Sequence, residues 1–581
     1  MAKRLMLGNE AVARGVYEAG ATVVASYPGT PSTEITEYAA KYKEIDAEWA
    51  PNEKVAMEVA MGASVGGARV MTAMKHVGMN VAADPLFTAS YTGVNGGMLI
   101  CVADDPGMHS SQNEQDSRHY AKGAKLPMVE PADSAECRDM AKAAFELSET
   151  YDVPVLLRLT TRIAHSQSLV EEAAREPYVL RPYEKNIGKY VMMPGMAKVR
   201  HVVVEERQQK LAEYAEKTAL NRLEMNGTKI GVIASGAAYQ YAKEALGDRA
   251  SYLKLGLVYP LPERLIRDFA GSVETLYVIE ELDPFIEEHV RALGIDCIGK
   301  AAGTLLGESS PGQIRKIVLG EETDTPYSAD QSAPGRPPVL CPGCPHRGVY
   351  YMLDKLKLTV TGDIGCYTLG AMPPHGAIDT CLCMGGSIGM NFGLEKARGK
   401  EFARHTVSVI GDSTFLHSGM TGLLDMVYNG ATSTVLILDN SITAMTGHQQ
   451  NPATGKTLKG DPAPAADLEA ICRAVGVKRV RHVSPFDIPA LEHALREELA
   501  AEEVSVILVE APCALLPGVD YGAPMTASAD CRSCRLCMKA GCPALSMGED
   551  GKVQIDPVLC NGCGFCAGLC PFGVLRKGEK K

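Results

Sequence analysis

"HTVSVIGDSTFLHSGMTGLLDMVYNGATSTVLILDN", residues 405–440, contains two apolar runs, "HTVSVIGD" and "STVLILDN", that read as buried strands of an α/β domain. Gly411-Asp412-Ser413 closes the first run, and Asn440 closes the second. In open α/β sheets ligands bind outside the C-terminal ends of strands. Asp412 and Asn440 are therefore candidate hard-oxygen ligands for Mg²⁺, which keeps few protein ligands and takes the rest from phosphates and water. A strand-end turn with an unrelated Asp and Asn would read the same way.

Outward from this stretch, "VSVILVEAP" is a further buried strand, and the α/β pattern extends over 338–515. Upstream, residues 1–165 alternate small-residue helices with "ATVVASYPG", "ARVMTAMKH", "GGMLICVAD" and "VPVLLRL". These runs are apolar on both faces, as in a parallel sheet covered on both sides. Residues 166–190 are polar and read as a linker. A charged helix around "VVVEERQQKLAEYAEKTALNRLEM" then opens a smaller α/β domain at 190–320, with "KIGVIASG", "YLKLGLVYPLP" and "TLYVIEE" as its strands. "EETDTPYSADQSAPGRPPVL", rich in Pro and acidic residues, predicts a connector.

The tail, 525–581, is a different kind of sequence. "CNGCGFCAGLCP" places Cys560, Cys563, Cys566 and Cys570 in the C-x₂-C-x₂-C-x₃-C-P run, in which the fourth cysteine serves the other of two [4Fe–4S] clusters. A partner run, "CRSCRLCMKAGCP", supplies Cys531, Cys534, Cys537 and Cys542 with one extra residue before the last. Crossed pairing assigns Cys531, Cys534, Cys537 and Cys570 to one cluster. Cys560, Cys563, Cys566 and Cys542 form the other. C-x₂-C is also zinc spacing, but two triplets, each with a later Cys-Pro, favour the paired-cluster module.

At 581 residues the chain has room for about four domains, at roughly 150 residues each. No apolar run approaches the ~20 residues of a membrane span, and the N-terminus shows no export signal. Eight of the 18 cysteines are assigned to clusters that persist best in reducing compartments, so a cytoplasmic location is expected. A net charge of −12 argues against nucleic acid and anionic lipid as partners.

The G-D-x…N spacing resembles the motif of the thiamine diphosphate fold, with Ser413 in place of a second glycine. A non-glycine residue is thereby asked to fit a tight turn. The resemblance implies Asp412, the Asn440 side chain and the Ile442 carbonyl around Mg²⁺, and Gly385, Gly386 and Gly389 of "CMGGSIGMNFG" as the wall behind the cofactor. It also implies a carboxylate for the aminopyrimidine, from a separate pyrimidine-binding domain. Glu53 in "EWAPNEKVAMEV" stands where the family carries it, and Glu58 lies one turn further on. "SYPGTPSTE" is similar to the substrate loop of the 2-oxoacid:ferredoxin oxidoreductases, which makes Thr30 the residue that meets the oxoacid. Arg118 is available for the substrate carboxylate, and His417 is a further pocket candidate.

"CPGCPHRG", "GDIGCYTLG" and "EAPCALL" supply Cys341, Cys344, Cys366 and Cys513 in the order in which that family holds a third, proximal [4Fe–4S] cluster. Cys381 and Cys383 compete as ligands. Over its whole length the chain resembles the α subunits of this family, in particular its indolepyruvate-acting group. The implied order is pyrimidine domain, transketolase-C-like domain, diphosphate domain and two-cluster ferredoxin. The resemblance implies oxidative decarboxylation of an aryl 2-oxoacid with CoA to the arylacetyl-CoA and CO₂, with electrons passing through the clusters to ferredoxin. It also implies a smaller β subunit in an α₂β₂ assembly, and the sensitivity of such clusters to oxygen predicts an anaerobic host. Pyruvate or branched-chain 2-oxoacids are alternative substrates. An electron-transfer subunit with a non-catalytic thiamine fold is the alternative role.

Overall fold

The apolar runs of residues 338–515 become six parallel strands in one sheet. Their spatial order is Thr380–Cys381, Thr359–Gly362, Thr406–Gly411, Thr434–Asp439, Ser505–Glu510 and Arg479–Val483. Side chains alternate between two cores, as the period of two requires. Val407, Val409, Leu436, Leu438, Ile507 and Val509 pack on one face. Ile410, Val435, Ile437, Val506 and Leu508 pack on the other. Burial on both faces explains why these runs show no polar alternation.

This computed structural model describes residues 3–303, 305–321 and 337–579. The chain divides into two units, 1–331 and 332–581. The connector expected over 321–340 lies, for 322–336, outside the described residues. No helix among the described residues is long and apolar enough to cross a membrane.

In the first unit, a seven-stranded sheet runs Leu257–Tyr259, Met128–Val129, Val155–Thr160, Met98–Asp104, Val70–Lys75, Val23–Ser26 and Asp46–Trp49. Its strands are parallel except at the first pair. A smaller sheet orders Thr275–Ile279, Ile230–Ser235, Ser251–Leu255 and Arg222–Glu224, the last antiparallel. One core cluster includes Ile100, Val102 and Leu156 of the large sheet together with Ile233, Leu253 and Leu255 of the small one.

Three details depart from the sequence reading. "YLKLGLVYPLP" is two strands, one in each sheet, because the chain breaks at Gly256, where a Cβ would lie 2.2 Å from the Leu220 carbonyl oxygen. The linker at 166–190 begins with a strand, Gln167–Glu171, paired antiparallel with Lys3–Leu7. The charged helix starts earlier than expected, at Pro194, and ends at Ala215. Proline suits a first helical position because its missing N–H would have had no partner there.

The tail of the second unit folds as two short antiparallel pairs, Met525–Ala527 with Leu575–Lys577 and Leu545–Met547 with Val553–Ile555. Its small core includes Phe565, Leu569 and Val574, with most of the tail cysteines packed around them.

Candidate active site and cluster cavities

Adjacent parallel strands bring Asp412 and Asn440 to the same sheet edge, with Gly411 and Leu438 in register. Both side chains are buried. The Asp412 carboxylate accepts a bond from Asn451 Nδ2 at 3.1 Å. Burial, reinforced by the neighbouring Asp439 carboxylate, pushes the Asp412 carboxyl up to about 7. Two acids crowded at a buried strand end are short of positive charge, and a divalent cation would supply it. Ile442 follows Asn440 and is buried, with its N–H 3.3 Å from Asn440 Oδ1. The donor set is hard oxygen throughout, which fits Mg²⁺.

Ser413 needs no glycine geometry. It lies in the short helix Asp412–Thr414 and is absent from the residues with positive φ. The expected strain at this departure from the motif does not arise. Gly411 itself is tightly constrained, since a Cβ would come within 2.6 Å of the Tyr367 ring.

The glycine wall forms the entry to the helix Ser387–Arg398. Gly385 has φ +80°, and a Cβ there would meet Ser418 Oγ at 2.0 Å. Buried Asp363 shapes this loop by accepting from the N–H groups of Ile364, Gly385 and Ser387 at 2.8, 2.8 and 2.9 Å. A Cβ on Gly389, in the first helical turn, would enter open space. A helix N-terminus opening on free space is a suitable seat for a diphosphate. His417 is buried, 2.9 Å from Ser418 Oγ, and Ser418 donates to the Met384 carbonyl at 3.0 Å. Through Ser418, His417 braces the glycine loop.

In the first unit, Glu53 begins the helix Glu53–Val65 and is buried, next to Asn52, whose side chain caps the helix by accepting from the Val55 N–H. Gly78 makes room for it, because a Cβ there would lie 2.6 Å from Glu53 Oε1. Glu58 points outward and pairs with Lys54. Thr30 is half-buried in the loop after Val23–Ser26, and its carbonyl lies 3.5 Å from Ser110 Oγ.

Arg118 is corrected by the structure. It is wholly buried, forked on Asp116, 2.6 Å from Glu280, and bonded to the Glu281 and Asp283 carbonyls. A guanidinium so buried and held between two carboxylates and two carbonyls links these segments of the unit and is not exposed to substrate. Lys75 is a cation beside the Thr30 loop. It packs against Gly29, donates to the Ser110 carbonyl at 2.8 Å, and has its ammonium pushed down by burial.

The tail cysteines gather in two cavities. One is lined by Cys531, Cys534, Cys537 and Cys570, and the other by Cys542, Cys560, Cys563 and Cys566 together with Cys344 from outside the tail. Each cavity thus takes three cysteines from one run and the last cysteine of the other, the crossed arrangement expected from the spacing. None of them is in a disulfide. The Val553 N–H points at Cys531 Sγ at 3.5 Å and the Met525 N–H at Cys560 Sγ at 3.3 Å, donors of the kind that stabilise cluster thiolates. Four tail thiols around each cavity, with backbone donors aimed at one of them in each, fit a cubane cluster.

Cys366 and Cys513 follow strands on either side of the Asp412–Asn440 pair, and the Cys513 N–H donates to the Asn440 carbonyl at 2.9 Å. Burial pushes Cys344 up to about 12 and Cys366 to about 11, and the nearby thiols of Cys341 and Cys513 add to the shift of Cys366. The four candidate ligands therefore occupy one neighbourhood. Cys381 and Cys383 are exposed, at and beside the end of the edge strand.

Comparison with known proteins places these features in a family. Residues 14–226 match the model "Pyruvate flavodoxin/ferredoxin oxidoreductase, thiamine diP-bdg". Residues 363–509 match "Thiamine pyrophosphate enzyme, C-terminal TPP binding domain", and residues 553–576 match "4Fe-4S binding domain". The chain is 40% identical to indolepyruvate oxidoreductase subunit IorA of Archaeoglobus fulgidus, over 99% of this chain and 98% of that one. It is 39% identical to the subunit of the same name from Pyrococcus horikoshii, over 99% and 97%. The chain belongs to the IorA family. Like other IorA chains it is an oxidoreductase subunit, with thiamine diphosphate-binding and [4Fe–4S]-binding domains. A solved 2-oxoglutarate:ferredoxin oxidoreductase from Magnetococcus marinus is 19% identical, covering 55% of this chain and 65% of that one, with a TM-score of 0.47.

Sequence reasoning missed Asp363, Asn451 and Lys75. Asp363 had a usable signal, since it ends the strand Thr359–Gly362 as Asp412 ends its own. Asn451 is thirty-nine residues from its partner Asp412 and had none.

Proposed function

We propose that this IorA chain oxidatively decarboxylates aryl 2-oxoacids, indolepyruvate among them, with CoA as acyl acceptor. Electrons pass through its own clusters to ferredoxin. The observation that carries this reading is the shared second unit, in which the Asp412–Asn440 strand ends and both cysteine-lined cavities of the tail are built together. A non-redox thiamine enzyme would have no use for such a tail. Aryl preference is supported by the names of the relatives at about 40% identity, against 24% for a ketoisovalerate oxidoreductase subunit of Methanothermobacter marburgensis.

Asp412, Asn440 and the Ile442 carbonyl hold Mg²⁺, and the loop at Gly385–Gly386 seats the diphosphate. Thiamine diphosphate, when bound, supplies the carbon nucleophile for the 2-oxo carbon. Glu53 holds a proton at the aminopyrimidine. Thr30 faces the oxoacid, and Lys75 replaces Arg118 as the cation for its carboxylate. His417 fixes the glycine loop. Cys341, Cys344, Cys366 and Cys513 hold a third cluster beside the metal loop. A smaller β subunit completes an α₂β₂ enzyme, which works in the cytoplasm of an anaerobe.

Two measurements test parts of this. Iron analysis of anaerobically prepared protein should give about twelve irons per chain, by four irons per cube. About eight would remove the third cluster. Lys75→Met should raise KM for the 2-oxoacid about ten- to a hundredfold, with kcat within about threefold, as loss of a charge-assisted bond made equally in ground and transition states requires. An unchanged KM would remove Lys75 from the pocket. The reading as a whole is tested by assaying indolepyruvate, phenylpyruvate, pyruvate and branched 2-oxoacids with CoA and a dye acceptor, alongside the β subunit. A preference for pyruvate would overturn the aryl assignment.

A further inference from the structure

Arg347 is buried in the first turn of the helix His346–Leu356, yet among the described residues it has no carboxylate partner. Its Nε donates to the Cys341 carbonyl at 3.1 Å, and Nη2 donates to the Leu340 carbonyl. Nη1 donates to the carbonyls of Ala540, at 3.1 Å, and Gly541. Ala540 and Gly541 lead directly into Cys542.

The guanidinium thus bridges the segment carrying Cys341 and Cys344 and the segment carrying Cys542. It lines the same cavity as Cys344, Cys542, Cys560, Cys563 and Cys566, and although burial pushes its guanidinium down, the thiols of Cys542, Cys344, Cys341 and Cys563 lie within electrostatic reach and favour its charge. The Cys341–Cys344 segment also packs directly on the tail: Asn561 Nδ2 donates to the Pro342 carbonyl at 3.1 Å, and a Cβ on Gly343 would collide with Asn561.

Buried charges are normally paired or set against a metal site. Carbonyl oxygens accept four bonds from Arg347 but leave its charge uncompensated. A cube held by four thiolates is a net anion and gains one further negative charge on reduction. We propose that Arg347 is a positioning residue that stabilises the reduced form of the cluster at Cys542, Cys560, Cys563 and Cys566 and clamps that cluster to the Cys341–Cys344 segment. One electron, drawn from oxidation of the 2-oxoacid, enters the cube, and Arg347 keeps its proton throughout. The other cavity has Arg532 and Arg535 on its wall, but both are exposed, and water and salt screen them.

This inference rests on the cluster reading above. The test is an EPR-monitored redox titration, with dithionite as reductant, of the anaerobic full chain and of Arg347→Gln and Arg347→Lys. Cys563→Ser identifies the affected cube by altering its signal. In Arg347→Gln the reduced-to-oxidised ratio of that cube at a fixed potential should fall about tenfold, which for a one-electron couple is about 59 mV. The other cube should not move, and Arg347→Lys should stay within about twofold of the unsubstituted chain. Unchanged potentials in Arg347→Gln would overturn the proposal. If Arg347→Gln loses the cube, its return in Arg347→Lys supports a role for charge, and its loss there too overturns it. An unsubstituted chain without cubane iron would instead overturn the cluster reading itself.

Discussion

Glu53→Gln should keep thiamine diphosphate bound and lower 2-oxoacid-dependent reduction of methyl viologen by about 10²–10⁴-fold, the usual contribution of a positioned acid–base group. The side chain is buried at the start of its helix, with Gly78 leaving room for its carboxyl end. Glutamine keeps that shape and a hydrogen-bonding amide but cannot exchange the proton. Cofactor content measured after gel filtration separates this loss from a folding defect. Glu58→Gln is the control, since Glu58 faces outward against Lys54, and it should retain full activity. Full activity in Glu53→Gln would remove Glu53 from the mechanism.

Asp412→Ala should weaken retention of Mg²⁺ and thiamine diphosphate together, by more than about a hundredfold. Loss of an outer partner of a metal ligand typically costs 10–100-fold, and Asn451→Ala, which removes the bond to Asp412, should fall in that range. The cation-free fold should not suffer in parallel. Asp412 is a buried acid beside Asp439, held up to about 7, so its removal relieves an unfavourable charge. Thermal unfolding of the cofactor-free variant should occur at or above the unsubstituted temperature. Tight retention of both ligands by Asp412→Ala would contradict the metal assignment.

Much of this was legible because the signals are local. The strands around Asp412 and Asn440 are apolar on both faces, and that pattern survives in sequence as uninterrupted Val, Ile and Leu. The spacing of the eight tail cysteines divides them into two sets of four, and the same sets line the two cavities, one of which also takes in Cys344. Interactions between distant segments were not legible. Arg118 looked available in "NEQDSRHYA", but its partner Glu280 lies 162 residues away, and only the fold reveals that the guanidinium is already paired. Lys75 ends an apolar strand and carries no motif, so its place beside Gly29 emerges only when neighbouring strands align. The break at Gly256 was hidden because both halves of "YLKLGLVYPLP" are equally strand-like, and the decisive contact is with the Leu220 carbonyl.

The central claim is that electrons taken from a 2-oxoacid enter iron held by this chain. It is tested most directly by rapid-freeze EPR of the anaerobic enzyme, with its β subunit, after mixing with indolepyruvate and CoA. The account predicts reduced [4Fe–4S] signals appearing as CO₂ is released, with the signal of one cube altered by Cys563→Ser. Release of CO₂ while every cluster stays oxidised would contradict it.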